Sequence, residues 1–245
     1  MNPSINSLIA MNIGLRIMAL ALGIIVMPSP SVAAPPMVSE PANDELRRNG
    51  WRLMKFDGIP ETVFESTADG AISVSTTASC GILFRRLDKD MRRPFVSWRW
   101  KVLKGLPPTD QSLKGGDDRP IAVHVWFEPT VATAGFFRTM ADMLGFDMPG
   151  RGLIYVWGGL GAGEGEVLIN PYNAERSRII ILRGGRPPEN VWMAERVDMA
   201  ADYRRAYGED PPPPMYIAIS GDSDDLQSKS LALIRDLIVV SGPPG

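Results

Sequence analysis

The sequence contains very little of the two residue types that most often carry metal and redox chemistry. Among its 245 residues there is one cysteine, Cys80, and one histidine, His124. A single cysteine excludes an intrachain disulfide and every metal or redox motif that is built on a cysteine pair. A single histidine excludes an all-histidine zinc site and the two-histidine motif H-E-x-x-H. The sequence therefore names no reaction by itself.

The sequence also lacks an excess of charge of either sign. It carries 26 Lys and Arg against 28 Asp and Glu, which gives a net charge of −2. Proteins that bind nucleic acids show a basic patch or stripe, because contacts to phosphate supply most of their affinity. We therefore expect no nucleic-acid partner.

Glycine and proline, by contrast, are abundant. The 24 glycines and 22 prolines make up about a fifth of the chain, against roughly an eighth in average proteins. Frequent turns between short apolar stretches favour a mainly β protein, and we predict a β-sandwich, jelly-roll-like, with one or two short helices on its edge. The predicted strands cover residues 62–66, 71–77, 81–86, 94–103, 121–127, 153–157, 178–183, 215–220 and 233–240.

Two segments show helical spacing of apolar residues. Asp198 is suited to cap a helix that ends at Tyr207, with Gly208 as its C-terminal cap. The second segment is 134–144, where phenylalanine, methionine and leucine side chains form one stripe. This stripe is typical of a helix that packs against the sandwich edge. The alternatives are a mobile lid or a surface that docks a partner chain.

The N-terminus has the order of features found in secretory signal peptides. Arg16 precedes the apolar stretch 17–26, and the small residues 31–34 follow two prolines. An uncleaved membrane anchor is the alternative, but it needs about 20 apolar residues. We predict a signal peptide at 1–34.

The chain that follows the predicted signal peptide has two parts. We predict a proline-rich leader at 35–49 and a single β-sandwich domain at 50–242. The expected location is the periplasm or the extracellular space, without a transmembrane segment after signal cleavage. The lone Cys80 lies in an apolar strand and is expected to be a small core residue.

Aromatic and basic residues on three predicted strands suggest a ligand-binding surface. Side chains alternate along a strand, so His124 and Trp126 share the side opposite the aliphatic residues of their strand. With Arg99, Lys101 and Trp157 they are predicted to form a surface for sugars, because aromatic rings offer apolar area to sugar faces. In the alternative, the aromatic rings fill the sandwich core and His124 forms a hydrogen bond within it.

The same residues are candidates for catalysis. A polysaccharide lyase needs a base and a cation that neutralises the substrate carboxylate. His124 or Tyr155 is the candidate base, and Arg99 or Lys101 is the candidate cation. A complete catalytic set is not evident in the sequence, and a hydrolase would need a carboxylate pair that the sequence does not single out.

Two acidic clusters lie in predicted loops. Asp117 and Asp118 precede one strand, and Asp222, Asp224 and Asp225 follow another. Hard cations need several oxygen ligands, so either cluster is a candidate site for Ca²⁺. The spacing after Asp222 does not fit an EF-hand, and aspartates that cap turns are the alternative.

An ordered set of short motifs resembles a bacterial exported family catalogued as domain of unknown function 3047. The resemblance covers about residues 50–240 and is weaker at Asp225-Leu226 and Ile234-Arg235-Asp236. It implies export and a β-rich domain, and it implies no chemistry. The motifs that carry it are Val96-Ser97-Trp98-Arg99-Trp100-Lys101-Val102, Gly116-Asp117-Asp118, Ile154-Tyr155-Val156-Trp157, Asn170-Pro171-Tyr172, Ala201-Asp202-Tyr203-Arg204-Arg205-Ala206-Tyr207-Gly208 and Gly221-Asp222-Ser223-Asp224-Asp225.

Three functional hypotheses follow. The first is a non-catalytic envelope protein that binds a glycan or another envelope component. The second is a sandwich-fold polysaccharide lyase or hydrolase that uses His124 or Tyr155 with Arg99. The third is a structural protein that binds a partner, such as an envelope protein, through residues 136–144.

Overall fold

The computed structural model describes residues 36–88, 94–130, 147, 149–160, 163–186 and 188–240. Within these residues thirteen strands form two sheets, one of eight strands and one of five. The predicted mainly β sandwich is confirmed. The strands are β1 Met37–Ser39, β2 Arg52–Lys55, β3 Val63–Ser66, β4 Ile72–Thr77, β5 Cys80–Arg86, β6 Phe95–Lys104, β7 Arg119–Phe127, β8 Gly152–Trp157, β9 Val167–Ile169, β10 Ser177–Arg183, β11 Met193–Asp198, β12 Pro214–Asp222 and β13 Lys229–Val240.

The order of the strands places distant parts of the chain side by side. The larger sheet has the order β1-β2-β5-β12-β7-β8-β10-β9, and the smaller sheet has the order β11-β6-β13-β4-β3. The pairings between these strands are antiparallel, except that β8 and β10 run parallel. Strands β7 and β12 are neighbours although about ninety residues separate them. The loops at one end of the sandwich therefore come from several regions of the sequence.

The core lies between the two sheets and is filled by alternate residues of the strands. On β6, Val96, Trp98, Trp100 and Val102 are buried, whereas Arg99 between the tryptophans is exposed. This alternation is the period of two that a half-buried strand requires. Burial of the apolar side chains is the main contribution that stabilises such a fold.

A ladder of four aromatic rings crosses this core and connects the two sheets. The ring centroids of Trp98 and Trp100 on β6 are 5.3 Å apart in an edge-to-face arrangement. Across the core, Trp98 lies 5.8 Å from Tyr155, and Trp100 lies 5.4 Å from Trp157. Such pairs contribute about 0.5–1.5 kcal/mol each beyond the burial of their area. We call these four residues the aromatic ladder.

Two short helices are present in the described residues, α1 at Asp44–Arg48 and α2 at Met199–Tyr207. The prediction of α2 is confirmed together with its caps. The Asp198 carboxylate accepts hydrogen bonds from two backbone N–H groups of the first turn, and Gly208 adopts a left-handed conformation with φ of 74°. The predicted helix at 134–144 lies outside the described residues.

Strand β1 and helix α1 lie in the stretch 35–49, for which the sequence predicts a proline-rich leader. Strand β1 pairs with β2 along three residues, so this stretch adds an edge strand to the larger sheet. Helix α1 follows it, and Leu46 of α1 is buried in the core. In the part of the chain that the structure describes, no helix has the length and apolar character needed to span a membrane.

The sheets approach closely at Gly221 of β12. A Cβ atom at this position would lie 2.6 Å from Val74 Cγ1 and 2.9 Å from Thr76 Cγ2 on β4. We predict that Gly221→Ala lowers the free energy of unfolding by about 1–3 kcal/mol, because the core is overpacked. Urea denaturation measures this change. Gly163→Ala is the control, since a Cβ at Gly163 meets nothing within 4 Å, and equal stability of the two variants would contradict the prediction.

Candidate functional site

Strands β7 and β8 place the candidate residues on two different faces of the larger sheet. His124 and Trp126 of β7 face away from the core, and Phe127 belongs to the core, as the alternation predicts. Tyr155 and Trp157 share one side of β8, and this side faces the core. The two tryptophans predicted to bind a ligand therefore lie on opposite faces of one sheet and cannot form one platform.

Arg99 and Lys101 occupy a third surface, the outer face of the smaller sheet. Arg99 Nε donates to Asp236 Oδ2 at 2.6 Å, and Lys101 Nζ lies 5.0 Å from the centroid of the Trp192 ring. This corrects the expectation of one surface shared with His124. The reason is that β6 pairs within the other sheet, so its polar side chains point to the opposite side of the sandwich.

His124 is closed off from solvent and is neutral. It is 2% exposed, and its Nε2 is hydrogen-bonded to Ser220 Oγ at 2.8 Å. Burial lowers the pKa of His124 from 6.5 to about 3, and the Arg119 guanidinium acts in the same direction. The arrangement is a serine–histidine pair, but in the described geometry both side chains are buried. A substrate would have to displace covering residues to reach it.

Tyr155, the other candidate base, has a structural contact that explains its position. Its hydroxyl donates to Asp202 Oδ2 of helix α2 at 3.0 Å. Burial raises the pKa of Tyr155 well above its usual value, and the Asp202 carboxylate raises it further. The phenol therefore stays protonated at neutral pH and attaches α2 to the core.

A cleft of about 450 Å³ opens at the end of the sandwich where β6 and β8 end and β7 begins. We call it the terminal cleft. Arg186 and Glu189 lie on it, and both are exposed. Glu189 Oε1 accepts a hydrogen bond from the backbone N–H of Gly105 at 2.8 Å, which fixes the position of its carboxylate. The apolar wall of the terminal cleft consists of Val102, Leu106, Pro107, Pro120 and Trp157.

The tryptophans predicted to bind a ligand contribute differently to the surface. Trp157 lines the terminal cleft, but it is only 2% exposed, because its ring packs edge-on against Trp100. With so little exposed area it has no open ring face for stacking. Trp126 is half-buried between Phe84 and Tyr216, with ring centroids 5.7 and 6.1 Å away. Ligand binding by either tryptophan stays a prediction.

Next to the terminal cleft, a buried charged network joins β5, β7 and β12. Arg119 donates to the carbonyl oxygen of Asp117 and lies 4.0 Å from Asp222 Oδ2. The Cys80 thiol donates to the same Asp222 oxygen at 3.3 Å. Burial raises the pKa of Asp222, although the Arg119 charge opposes this effect. Burial likewise raises the pKa of the Cys80 thiol, so it is protonated at neutral pH.

Of the five aspartates in the two predicted acidic clusters, the structure brings Asp118, Asp224 and Asp225 together. One ligand oxygen from each of these three carboxylates lies within 4.8 Å of the other two. Asp222 and Asp224 also lie close to the Cys80 sulfur. Asp117 instead forms its contacts with Arg119.

Sequence reasoning missed two residues of this region, Gln111 and Arg186, and it did not single out Glu189 among the glutamates. Gln111 is buried and its Nε2 donates to the carbonyl oxygens of Gly116 and Asp118, which connects the wall of the terminal cleft to the acidic loop. These residues lie in loops without a motif. The only available signal was the density of glycine and proline around them.

The two sheets, with a cleft at the end where their loops meet, define the fold as a mainly β sandwich. The family model described as a protein of unknown function (DUF3047) matches residues 49–238. The chain belongs to this family, and the resemblance seen in the sequence is confirmed. No curated protein matches the chain.

Solved structures with a related outline are distant. The family 11 xylanase from Neocallimastix patriciarum is 10% identical, with a TM-score of 0.40 over 79% of this chain and 93% of that one. The xyloglucanase domain of NopAA, a type three effector from Sinorhizobium fredii, is 8% identical, with a TM-score of 0.44 over 86% of this chain and 100% of that domain. At such scores neither likeness assigns a substrate or a reaction.

The buried, neutral His124 predicts a specific dependence of stability on pH. Because its pKa is lower in the folded chain, the unfolded chain takes up the proton first as the pH falls. The stability that depends on a neutral His124 is fully present above pH 6.5, and it is lost progressively as the pH falls toward 3. We predict that the parent loses up to about 1.4 kcal/mol per pH unit in this window relative to His124→Gln.

Urea denaturation of both proteins at several pH values between 7 and about 4 checks this prediction. A constant difference in the free energy of unfolding between the two proteins reflects lost packing. Only a difference in how that free energy changes with pH reports the proton uptake by His124. Parallel curves would show that His124 takes up its proton equally in the folded chain.

Proposed function

We propose that this protein is exported and binds a glycan or another polar envelope component in the terminal cleft, without catalysing a reaction. The observation that carries the proposal is a preformed cleft that combines an apolar wall with a charged rim. Its volume of about 450 Å³ falls in the range of small-molecule sites, which is roughly 300–1,000 Å³.

The chemistry of the terminal cleft suits a sugar. A sugar ring has apolar faces and hydroxyl edges, so it needs both apolar area and a few fixed polar groups. Leu106 and Pro107 supply the apolar area. The Glu189 carboxylate, held by the Gly105 N–H, accepts hydrogen bonds from hydroxyl groups, and Arg186 donates them.

The separation of the catalytic candidates supports binding over catalysis. In a lyase the base removes a proton next to the substrate carboxylate, and the cation neutralises that carboxylate. The two groups must therefore lie close together. His124 lies on the outer face of the larger sheet, Tyr155 lies in the core, and Arg99 lies on the outer face of the smaller sheet. In the part of the chain that the structure describes, neither candidate base therefore lies on the same surface as Arg99.

Substitution of the cleft rim tests the binding site. We predict that Glu189→Ala and Arg186→Ala each weaken glycan binding at least about tenfold, because a hydrogen bond to a charged group contributes about 1.5–3 kcal/mol. Isothermal titration with a panel of soluble oligosaccharides and peptidoglycan fragments measures the affinity. Intrinsic tryptophan fluorescence gives a second readout, since Trp157 lines the cleft.

Arg48→Ala is the matched control, because it removes the same charge as Arg186→Ala from an exposed position on helix α1. The control should bind as the parent does. If the parent binds no member of the panel, or if the two rim variants bind as tightly as the control, the terminal cleft is not a glycan site.

Export is tested separately from binding. We predict that the full-length chain, expressed in a bacterium, is recovered from the periplasm or the medium. Its mass should be that of a chain whose first residue is Ala34 or Pro35, because the segment 1–34 has the order of features of a signal peptide. Cell fractionation and intact-mass measurement check this. A variant without residues 2–33 should stay in the cytoplasm, and a full-length chain that stays there uncleaved would contradict export.

A further inference from the structure

Three carboxylates from two distant segments meet beside the terminal cleft. Asp118 precedes β7, and Asp224 and Asp225 lie in the turn between β12 and β13. One oxygen from each lies within 4.8 Å of the other two. Calcium takes oxygen ligands at 2.3–2.6 Å, so two oxygens on opposite sides of one ion are about 5 Å apart. The spacing of the three carboxylates fits a single ion between them.

Asp118 is the residue that points most clearly to a bound ion. It is 3% exposed, and its Oδ2 accepts a hydrogen bond from the backbone N–H of Leu226 at 2.7 Å. Its Oδ1 is buried and has no hydrogen-bond partner. Buried carboxylate oxygens are normally hydrogen-bonded or bound to a cation. A cation held with Asp224 and Asp225 would satisfy this oxygen.

The local charge balance favours a cation as well. Oxygens of the Asp118, Asp224 and Asp225 carboxylates lie within 4.8 Å of one another. These carboxylates therefore repel one another, and a divalent ion between them reverses that repulsion.

The neighbouring basic groups are engaged elsewhere. Arg119 donates to Asp117 and lies beside Asp222. Lys114 Nζ lies 5.6 Å from the centroid of the Tyr172 ring. The second trio, formed by Cys80, Asp222 and Asp224, differs from the first because Arg119 and the Cys80 thiol already contact Asp222.

We propose that Asp118, Asp224 and Asp225 bind a divalent cation of the calcium class. The all-oxygen ligand set selects a hard cation over zinc or copper. Asp225 is exposed, so water completes the coordination from the solvent side. Asp118 lies in the β6–β7 connection, and Asp224 and Asp225 lie in the β12–β13 connection, and both connections run from one sheet to the other. The ion therefore cross-links two loops at this end of the sandwich. The site does not depend on what the terminal cleft binds.

Calcium titration of the purified full chain, freed of metal with a chelator, tests the site. We expect a single-site heat and a rise in the melting temperature with CaCl₂ at concentrations up to about 10 mM, which is above the dissociation constants of weak extracellular calcium sites. Asp118→Asn and Asp225→Asn should each weaken calcium binding at least about tenfold. MgCl₂, as the second probe, should give a smaller shift at equal concentration.

Asp57→Asn is the matched control, because it removes one negative charge from an exposed turn that contributes no ligand to the three-carboxylate cluster. Melting of each variant in chelator separates binding from folding. Asparagine keeps the shape and an acceptor oxygen, so the site variants should melt in chelator at or above the parent temperature. If these aspartates only cap turns, the variants melt lower in chelator and calcium gives no heat with the parent.

The absence of heat and of a melting shift in the parent overturns the proposal. So does calcium affinity that is equal in Asp118→Asn, Asp225→Asn and Asp57→Asn, because the ion would then bind elsewhere.

Discussion

The contact between the tryptophans of β6 and the aromatic residues of β8 is the interaction on which the rest of the structure depends. It fixes the distance between two sheets that no disulfide can join, since the chain has one cysteine. The Trp100 indole N–H also donates to Glu195, which forms an ion pair with Arg183 of the opposite sheet. Packing and charge pairing therefore act at the same place.

The same ladder positions the residues around the terminal cleft. Trp157 stands at one end of the aromatic ladder and forms part of the apolar wall of the terminal cleft. Tyr155 stands at the other end and holds helix α2 through a hydrogen bond to Asp202. A change in this packing would move both the cleft wall and the helix. The terminal cleft is thus an extension of the core and not a separate surface feature.

Burial decides the chemistry of the polar residues outside the core. His124, Ser220, Asp222 and Cys80 all lie on or near the outer face of the larger sheet, and each is partly or fully withdrawn from water. Withdrawal favours the neutral form of each titratable group, so His124 does not become a cation and Cys80 does not become a thiolate at neutral pH. In this environment His124 is hydrogen-bonded to Ser220, and the Cys80 thiol donates a hydrogen bond to Asp222.

The sequence predicted local structure well, because local rules produce it. The alternation on β6 and β7 and the caps of α2 by Asp198 and Gly208 follow from side-chain direction and backbone geometry. Strand β11 was missed, because it is an edge strand with charged and apolar residues mixed. The alternation also shows which residues share one side of a strand, but it does not show which sheet the strand joins. For that reason Arg99 and His124 were expected together and lie apart.

The candidate site could be predicted only in part, for a related reason. The acidic pairs are visible in the sequence, and the structure brings Asp118 and Asp224 together as oxygen ligands require. The terminal cleft is built from loops up to about eighty residues apart, so its members Arg186 and Glu189 carry no local pattern. Their positions follow from the strand order, which depends on the packing of the whole chain.

The parallel pairing of β8 and β10 determines how this end of the molecule can vary. Parallel neighbours cannot be joined by a tight hairpin, so the chain must travel back along the sheet between Trp157 and Ser177, and β9 makes that return. The connection leaves β8 at Gly158 on the terminal cleft and comes back to the cleft after β10 at Gly185. Residues inserted at either point would reshape the cleft and leave the sheet register unchanged. Sequences with this topology can therefore differ in the shape and charge of this cleft without rebuilding the sandwich.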